Sequence, residues 1–428
     1  MRESKPTTID FETEAIDQRP FYPPKPVGVS IKKWGKKARY YAWGHPTENN
    51  CTFEEAKAAL AAVWAKDEIL CHNLKFDMDV AETFMGMPRL PWDRYHDTMI
   101  TLFLFNPHLI SFGLKPAAEA LLGMASTERD EVRQWLVDNG VVASTATKAW
   151  GAHICKAPGT LVGAYADGDV LRTEALFKFT HKHTRGQAYD RERRLLPVLL
   201  DMEREGIPVD LPRLKADEAL YSAVITKVEA WVFKRMGCAP FRITSAGELV
   251  EALIATGKVD TTLLGKTAKG AWRTDKDSLG TAITDTTLAS MLNYHASLGT
   301  CLNTFMRPWL RMAEASGGRI FTSWNQIKSF SGNREQGAVT GRLSSSPNFQ
   351  NMPNEFPWLW AHEEAGLPKE KRKGLPKMPI KDLPAPPVMR SYIIAEKGMT
   401  LIDRDYSQQE PRILAHFEDG DLSAAYQA

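Results

Sequence analysis

Thr7-Thr8-Ile9-Asp10-Phe11-Glu12-Thr13 sets an isoleucine and a phenylalanine between polar neighbours at a period of two. That alternation predicts a β-strand with one face turned to a core. Asp10 and Glu12 lie two apart, so their side chains share the other face. Working outward, residues 54–65 read as a helix, and 69–73 as a short buried strand running into a helix at about Lys75. Residues 98–105 and 114–122 are further apolar helical segments. Strands alternating with helices over the first ~180 residues predict an α/β domain.

The chain has 428 residues, which allows about three domains at ~150 residues each. With 43% hydrophobic and 25% charged residues it can bury sizeable cores, and it is neither disordered throughout, nor collagen, nor coiled coil. No stretch approaches the ~18 consecutive apolar residues of a membrane span. The first residues, MRESKPTTIDFETE, are too polar for a secretory signal. Five scattered cysteines without CxxC spacing fit a reducing compartment and give no zinc site, so a cytoplasmic protein without membrane contact is expected. The net charge of +2 neither implies nor excludes nucleic acid, because a basic channel and an acidic metal site can coexist.

Farther along, YDRERRLLPVLLDMERE (189–205) has helical apolar spacing, expected to be interrupted at Pro197 and stopped at Gly206. A boundary near residues 185–187 divides the chain into predicted domains 1–187, 188–320 and 321–428. The stretch to about Leu310 reads as mostly helical, with a Lys/Gly/Thr-rich loop at 265–274. Residues 354–387, rich in Pro and Lys, read as a surface insertion or linker. Residues 399–402 read as a strand leading to Asp403-Arg404-Asp405-Tyr406 and then a helix. There is no internal repeat.

Two carboxylates forced onto one strand face repel unless a cation lies between them, and an all-oxygen donor set suits Mg²⁺ or Mn²⁺. Asp-x-Glu alone is common on surface strands. Two later runs add to it. His72-Asn73-Leu74-Lys75-Phe76-Asp77 places Asp77 at a strand-to-helix turn, where a helix-dipole role is the plain alternative. Tyr165-Ala166-Asp167-Gly168-Asp169 puts Tyr165 and Asp169 on one helical face, where a surface Tyr and a solvated Asp are the plain alternative.

Asp-x-Glu, Asn-x-x-Phe-Asp and Tyr-x-x-x-Asp in that order resemble the DEDDy class of 3′→5′ exonucleases, as do His96-Asp97-Thr98-Met99 and Phe112-Gly113-Leu114-Lys115. The resemblance implies a ribonuclease H-like α/β domain, a mixed sheet flanked by helices. It also implies roles. Asp10, Glu12 and Asp169 would hold the metal that activates water. Asp10 with Asp77, directly or through water, would serve a second metal, and Tyr165 would orient the attacking water. Two Mg²⁺ or Mn²⁺ ions would then stabilise both oxygens of an in-line displacement at phosphorus.

A second constellation is Thr340-Gly341-Arg342-Leu343-Ser344-Ser345-Ser346-Pro347-Asn348-Phe349-Gln350-Asn351-Met352-Pro353. Its plain reading is an irregular loop whose Asn and Ser satisfy their own backbone. Arg342, Asn348, Gln350 and Asn351 also suit hydrogen bonding along nucleic acid. The run resembles the TGRLSS…PNLQNIP signature of family A DNA polymerases, the bacterial DNA polymerase I family. Asp405-Tyr406-Ser407-Gln408-Gln409-Glu410-Pro411-Arg412 resembles the same family's palm motif A, although Gln409 and Pro411 depart from its usual aliphatic residues.

That likeness makes Asp405 a ligand of both polymerase-site ions with the Tyr406 carbonyl nearby, and Arg412 a DNA contact. Glu410 becomes a steric gate against a ribose 2′-OH, while Ser407-x-x-Glu410 also reads as a capping box. Residues 203–210 resemble the opening of the polymerase domain, 241–253 and 289–305 thumb segments gripping DNA phosphates, and 322–326 the strand before TGRLSS. A mostly helical thumb and an incomplete α+β palm are therefore expected after the first domain.

The family's fingers helix with Arg, Lys and Tyr, and its second palm aspartate in a His-Asp-Glu turn, are not found before Ala428. One carboxylate without a triphosphate clamp does not organise two-metal transfer, so the chain alone is not expected to polymerise. The leading reading is the N-terminal portion of a split polymerase of bacteriophage type, in the host cytoplasm. It would edit single-stranded 3′ ends on a primer-template, and a second polypeptide would supply fingers and the rest of the palm. One alternative is a free-standing exonuclease with a non-catalytic DNA-binding module. The other is a truncated or remnant chain that only binds.

Overall fold

A computed structural model describes residues 4–145, 149–184, 186–267, 270–327, 329–331, 334–336, 341–357 and 377–418. Thr340, Arg185 and residues 358–376 of the Pro/Lys-rich stretch lie outside the described residues.

The opening strand forms as expected. β1 (Thr7–Thr13), β2 (Pro26–Lys32), β3 (Arg39–Ala42), β4 (Ile69–Cys71) and β5 (Tyr95–Asp97) make one sheet in the order β3-β2-β1-β4-β5. β1 pairs antiparallel with β2 and parallel with β4, so the sheet is mixed and β1 is central. Ile9 and Phe11 enter the main core with Val29, Leu60, Trp64 and Leu74. The opposite face of β1 is covered too, which simple alternation does not reveal: a helix over Gly159–Thr180 lies across β1, β2 and β3.

Four connecting helices follow the expected readings closely, α1 (Phe53–Trp64), α2 (Leu74–Phe84), α3 (Thr98–Phe105) and α4 (Leu114–Leu122), and α5 (Thr127–Asp138) and α6 (Gly159–Thr180) come after them. α1 starts with a capping box between Thr52 and Glu55, which satisfies orphan N–H groups at its first turn. No helix among the described residues is long and apolar enough to cross a membrane.

α7 (Gln187–Glu205) runs unbroken through Pro197, against expectation. A proline leaves the carbonyl four residues earlier without its donor. Here that carbonyl is Arg193, and the Tyr95 hydroxyl donates to it at 2.6 Å. α7 buries Tyr189, Leu196 and Leu200 in the first core. It ends at Gly206, whose φ is +67° and where a Cβ would meet the Phe321 ring at 2.6 Å.

A second core surrounds α8 (Leu211–Met236), with α9 (Ala246–Ala255), and a smaller cluster of Val250, Leu264 and Ala282 joins α9 to α10 (Thr261–Leu264) and α11 (Lys276–Ala282); α12 (Thr286–Thr300) and α13 (Arg307–Ser316) complete the second core. A π-helical turn, Cys301–Met306, joins α12 to α13. Short strands complete the region: β6 (Ile207–Pro208) with β7 (Arg319–Ile320), β8 (Ser323–Asn325) with β11 (Ser344–Ser346), and β9 (Ser329–Ser331) with β10 (Arg334–Gln336).

Residues 377–387 are not the free linker that their composition suggests. Leu383 is buried in the second core, and the carbonyls of Pro384 and Ala385 accept hydrogen bonds from Tyr294 and Tyr221. Proline carbonyls remain good acceptors, so a Pro-rich segment can dock along tyrosines. Residues 399–402 do not form the expected strand; they are irregular, with Ile402 88% exposed. Among the described residues no neighbouring strand pairs with them, and an apolar run becomes a strand only beside a partner. The chain then enters α14 (Gln409–Glu418).

Candidate active site

Asp10 and Glu12 project from the middle of β1, and Asp169 meets them from α6. One oxygen from each lies within 4.8 Å of the others. Asp77 arrives from the first turn of α2, and its Oδ1 accepts the Phe11 backbone N–H at 3.2 Å. Tyr165 stands one turn before Asp169 on α6, its ring edge-on to Trp150. The five residues that sequence reading assigned to one centre are thus contributed by three neighbouring elements.

Backbone geometry explains the convergence. Asp97 takes the N–H groups of Asn73 and Leu74 at 3.0 and 2.9 Å, and that of Met99 at 2.8 Å. One carboxylate therefore caps the starts of both α2 and α3, holding Asn73 at φ 68° and setting Asp77 a turn farther on. On the other side of β1, Glu12 is opposite Gly28. A Cβ at Gly28 would overlap the Tyr40 hydroxyl oxygen, so glycine opens the slot that Tyr40 fills. The Tyr40 hydroxyl is within hydrogen-bond reach of His45 Nε2 at 2.8 Å.

Burial dominates the electrostatics. It pushes the Asp10 carboxyl up to about 8, with repulsion from Asp169 adding and Lys115 opposing. Burial, then Asp10 and Asp169, raise Glu12 well above the carboxylate range. Asp77 is raised by burial and by Asp10. Asp169 is raised by burial against the pull of Lys115 and Arg172. Three carboxylates within 4.8 Å of one another, with Asp77 adding repulsion, call for a cation in a low dielectric, and a donor set of carboxylate oxygens alone fits Mg²⁺ or Mn²⁺.

Sequence reading missed two charged participants. Lys115, on α4, forms an ion pair with Asp169, and its ammonium lies 4.0 Å from the Tyr165 ring centroid. Arg172 reaches Asp169 at 3.4 Å but is tied mainly to Glu128 and to the Ala125 carbonyl. Lys115 falls in the quoted 112–115 run, yet a lone lysine on a short helix carries no signal of which acid it will meet.

The second constellation is arranged differently. Asn348 Oδ1 accepts the N–H groups of Gln350 and Asn351, each at 3.1 Å. Gln350 donates from Nε2 to the Leu343 carbonyl at 3.0 Å, and Phe349 is buried. These side chains shape their own turn, as the plain loop reading has it. Asp405 is exposed and accepts the Tyr406 N–H at 2.8 Å, and Tyr406 and Arg412 are exposed as well. Asp405 belongs to no acidic group of three among the described residues. Helix α14 begins at Gln409, so Ser407 precedes the cap position and no capping box with Glu410 forms. Glu410 instead makes an ion pair with Arg342, which joins the two motifs.

A family model described as DNA polymerase family A matches residues 212–428. A DNA polymerase I of Chloroflexus aurantiacus is 26% identical over 430 residues, covering 97% of this chain and 40% of the relative. That of Helicobacter pylori is 28% identical over 369 residues, covering 84% and 33%. The chain thus spans well under half the length of these curated relatives. In fold it is similar to a solved structure of the POL domain of Pol1 from M. smegmatis in complex with DNA primer-template and dNTP. The TM-score is 0.60 at 21% identity, over 99% of this chain and 61% of that one.

Proposed function

The chain belongs to DNA polymerase family A, and from that premise we propose that residues 1–187 are a two-metal 3′→5′ exonuclease that edits DNA 3′ ends. The carrying observation is the convergence of Asp10, Glu12 and Asp169 oxygens within 4.8 Å, with Asp77 beside them. In this reading Asp10, Glu12 and Asp169 hold one divalent ion, and Asp10 with Asp77 serves a second. Ions bound there would polarise the scissile phosphate and acidify the attacking water. The protein's own part is placement. Burial, Asp169, Glu12 and Asp10 keep the Tyr165 hydroxyl protonated, so it acts as a hydrogen-bond donor that orients the nucleophile rather than as a base.

The test is a 5′-labelled primer-template with a mismatched 3′ end, in Mg²⁺, with and without deoxynucleotides. Stepwise shortening that Asp10→Ala abolishes is the expected result. Shortening that survives Asp10→Ala removes the reading.

A second reading concerns the rest of the chain, taken as thumb (188–320) and part of a palm (321–428). Residues 340–353 would contribute the TGRLSS-like segment, and Asp405, Tyr406, Glu410 and Arg412 motif A, to a polymerase site that a second polypeptide completes. Its support is the exposed apolar run at Met399, Leu401 and Ile402, together with Leu414 and Phe417. The Arg342–Glu410 pair adds to it by placing the two motifs side by side. Extension of a primer only when fingers and palm segments are added, lost in Asp405→Ala while exonuclease activity stays, is the expected outcome.

A further inference from the structure

We propose that Lys115 is a resident counter-ion of the carboxylate cluster: in the metal-free protein its ammonium neutralises Asp169 and braces Tyr165, and divalent ions bind in competition with it. This rests on reading the cluster as a metal centre.

Three observations carry it. First, Lys115 is the second residue of α4, where the helix dipole disfavours a cation, so helix stability does not explain its place. Second, its side chain is only 14% exposed and is held by two functional groups at once, the Asp169 carboxylate and the Tyr165 ring face. Third, the other cation beside Asp169 is already committed. Arg172 is fixed by Glu128 and by the Ala125 carbonyl at 2.5 Å, whereas Lys115 rides on a flexible four-carbon stem. An ion shared by Asp10, Glu12 and Asp169 needs an Asp169 oxygen, and both have a cation beside them, Oδ2 the Lys115 ammonium and Oδ1 the anchored Arg172 guanidinium at 3.4 Å. The ammonium must therefore give way when the ion enters. Its retreat leaves the Tyr165 ring as its nearest neighbour, which links ion binding to the setting of the tyrosine. Lys115 is thus a positioning residue whose charge sets how readily the centre loads.

The experiment uses the full chain and Mn²⁺ as the probe, by titration calorimetry and by melting in EDTA and in Mn²⁺. Lys115→Met should bind Mn²⁺ at least about fivefold more tightly, because a competing charge has left the site. It should also melt below the parent protein in EDTA, and Mn²⁺ should close that gap. Lys115→Arg should keep the parent's affinity. Unchanged Mn²⁺ affinity, with the same loss of melting temperature in both buffers, would mean a purely structural lysine. Weaker Mn²⁺ binding would mean that the lysine supports the ion, and either result overturns the proposal.

A measurement on the unsubstituted protein guards against a variant that does not fold. Amine labelling read by mass spectrometry should modify Lys115 several-fold more in Mn²⁺ than in EDTA, and equal labelling overturns the competition. The underlying reading fails separately: if Asp10→Ala binds Mn²⁺ as well as the parent does, the cluster is not the metal centre.

Discussion

Asp97 shows how an acid beside the carboxylate cluster can serve the backbone instead. It accepts three N–H groups from two helix starts, and burial nonetheless pushes its carboxyl up to about 6. Asp97→Ala should cost about 3 kcal/mol by urea unfolding, because it leaves buried donors unpaired. Asp97→Asn, which keeps one acceptor oxygen, should cost less. Asp10 supplies a second expectation. Burial, with Asp169 adding, pushes its native carboxyl up to about 8, above its value in an unfolded chain. Between about pH 4 and that value this carboxyl holds more protons in the folded protein, so its contribution to unfolding free energy falls as pH rises. Buried His72, pushed down to about 3, works the other way up to about pH 6.5, so the decline is read above that pH. A urea series in EDTA should show this decline, and Mg²⁺ should flatten it by neutralising the carboxylates. A flat profile in EDTA would count against the cluster geometry. At this scale the acids and Tyr165 were legible because their spacing fixes them to one strand or helix face. Lys115 was not, since its partner lies 54 residues away on another helix.

Elements were legible where a local pattern decides them and illegible where a distant group does. The α4 and α3 spans follow from apolar spacing alone, and Gly123 in the left-handed region stops α4. Pro197 is the opposite case. Its sequence says "break", and a tyrosine hydroxyl from β5 answers the orphan carbonyl that would otherwise enforce one. Tyr95→Phe should therefore cost about 1–2 kcal/mol in the Pro197 protein. In a Pro197→Ala background, where the restored backbone N–H can donate to the Arg193 carbonyl, the cost should shrink. A double-mutant cycle with no coupling would show that the hydroxyl and the proline act independently. Residues 399–402 failed as a strand for a related reason: their apolar run is real, but a strand is a property of two segments.

At the scale of the molecule, the exposed apolar residues Met399, Leu401, Ile402, Leu414 and Phe417 lie within twenty residues of one another along the chain, more than single scattered apolar side chains on a surface. The chain should self-associate reversibly. Ile402→Asp with Phe417→Asp should shift sedimentation toward monomer without lowering the melting temperature, because neither side chain lies in a core. Loss of melting temperature in that variant would mean the face is already covered.

Elsewhere the two halves are tied firmly. Arg204 on α7 binds Asp79 and Glu82 on α2, each at 2.6 Å, and Arg89 joins Asp201 at 2.9 Å. Lys75 bridges Glu203 and the Trp324 carbonyl. The ties at Arg204 and Lys75, which are partly buried, resist hinge motion between the sheet that carries Asp10 and the strands that lead to Arg342. The span between the two motifs is then a ruler of fixed length. If both motifs act on one DNA as proposed, a 3′ end would have to cover that span by unpairing its own bases, and the melting of the duplex, not the swing of a protein arm, would set the rate of switching.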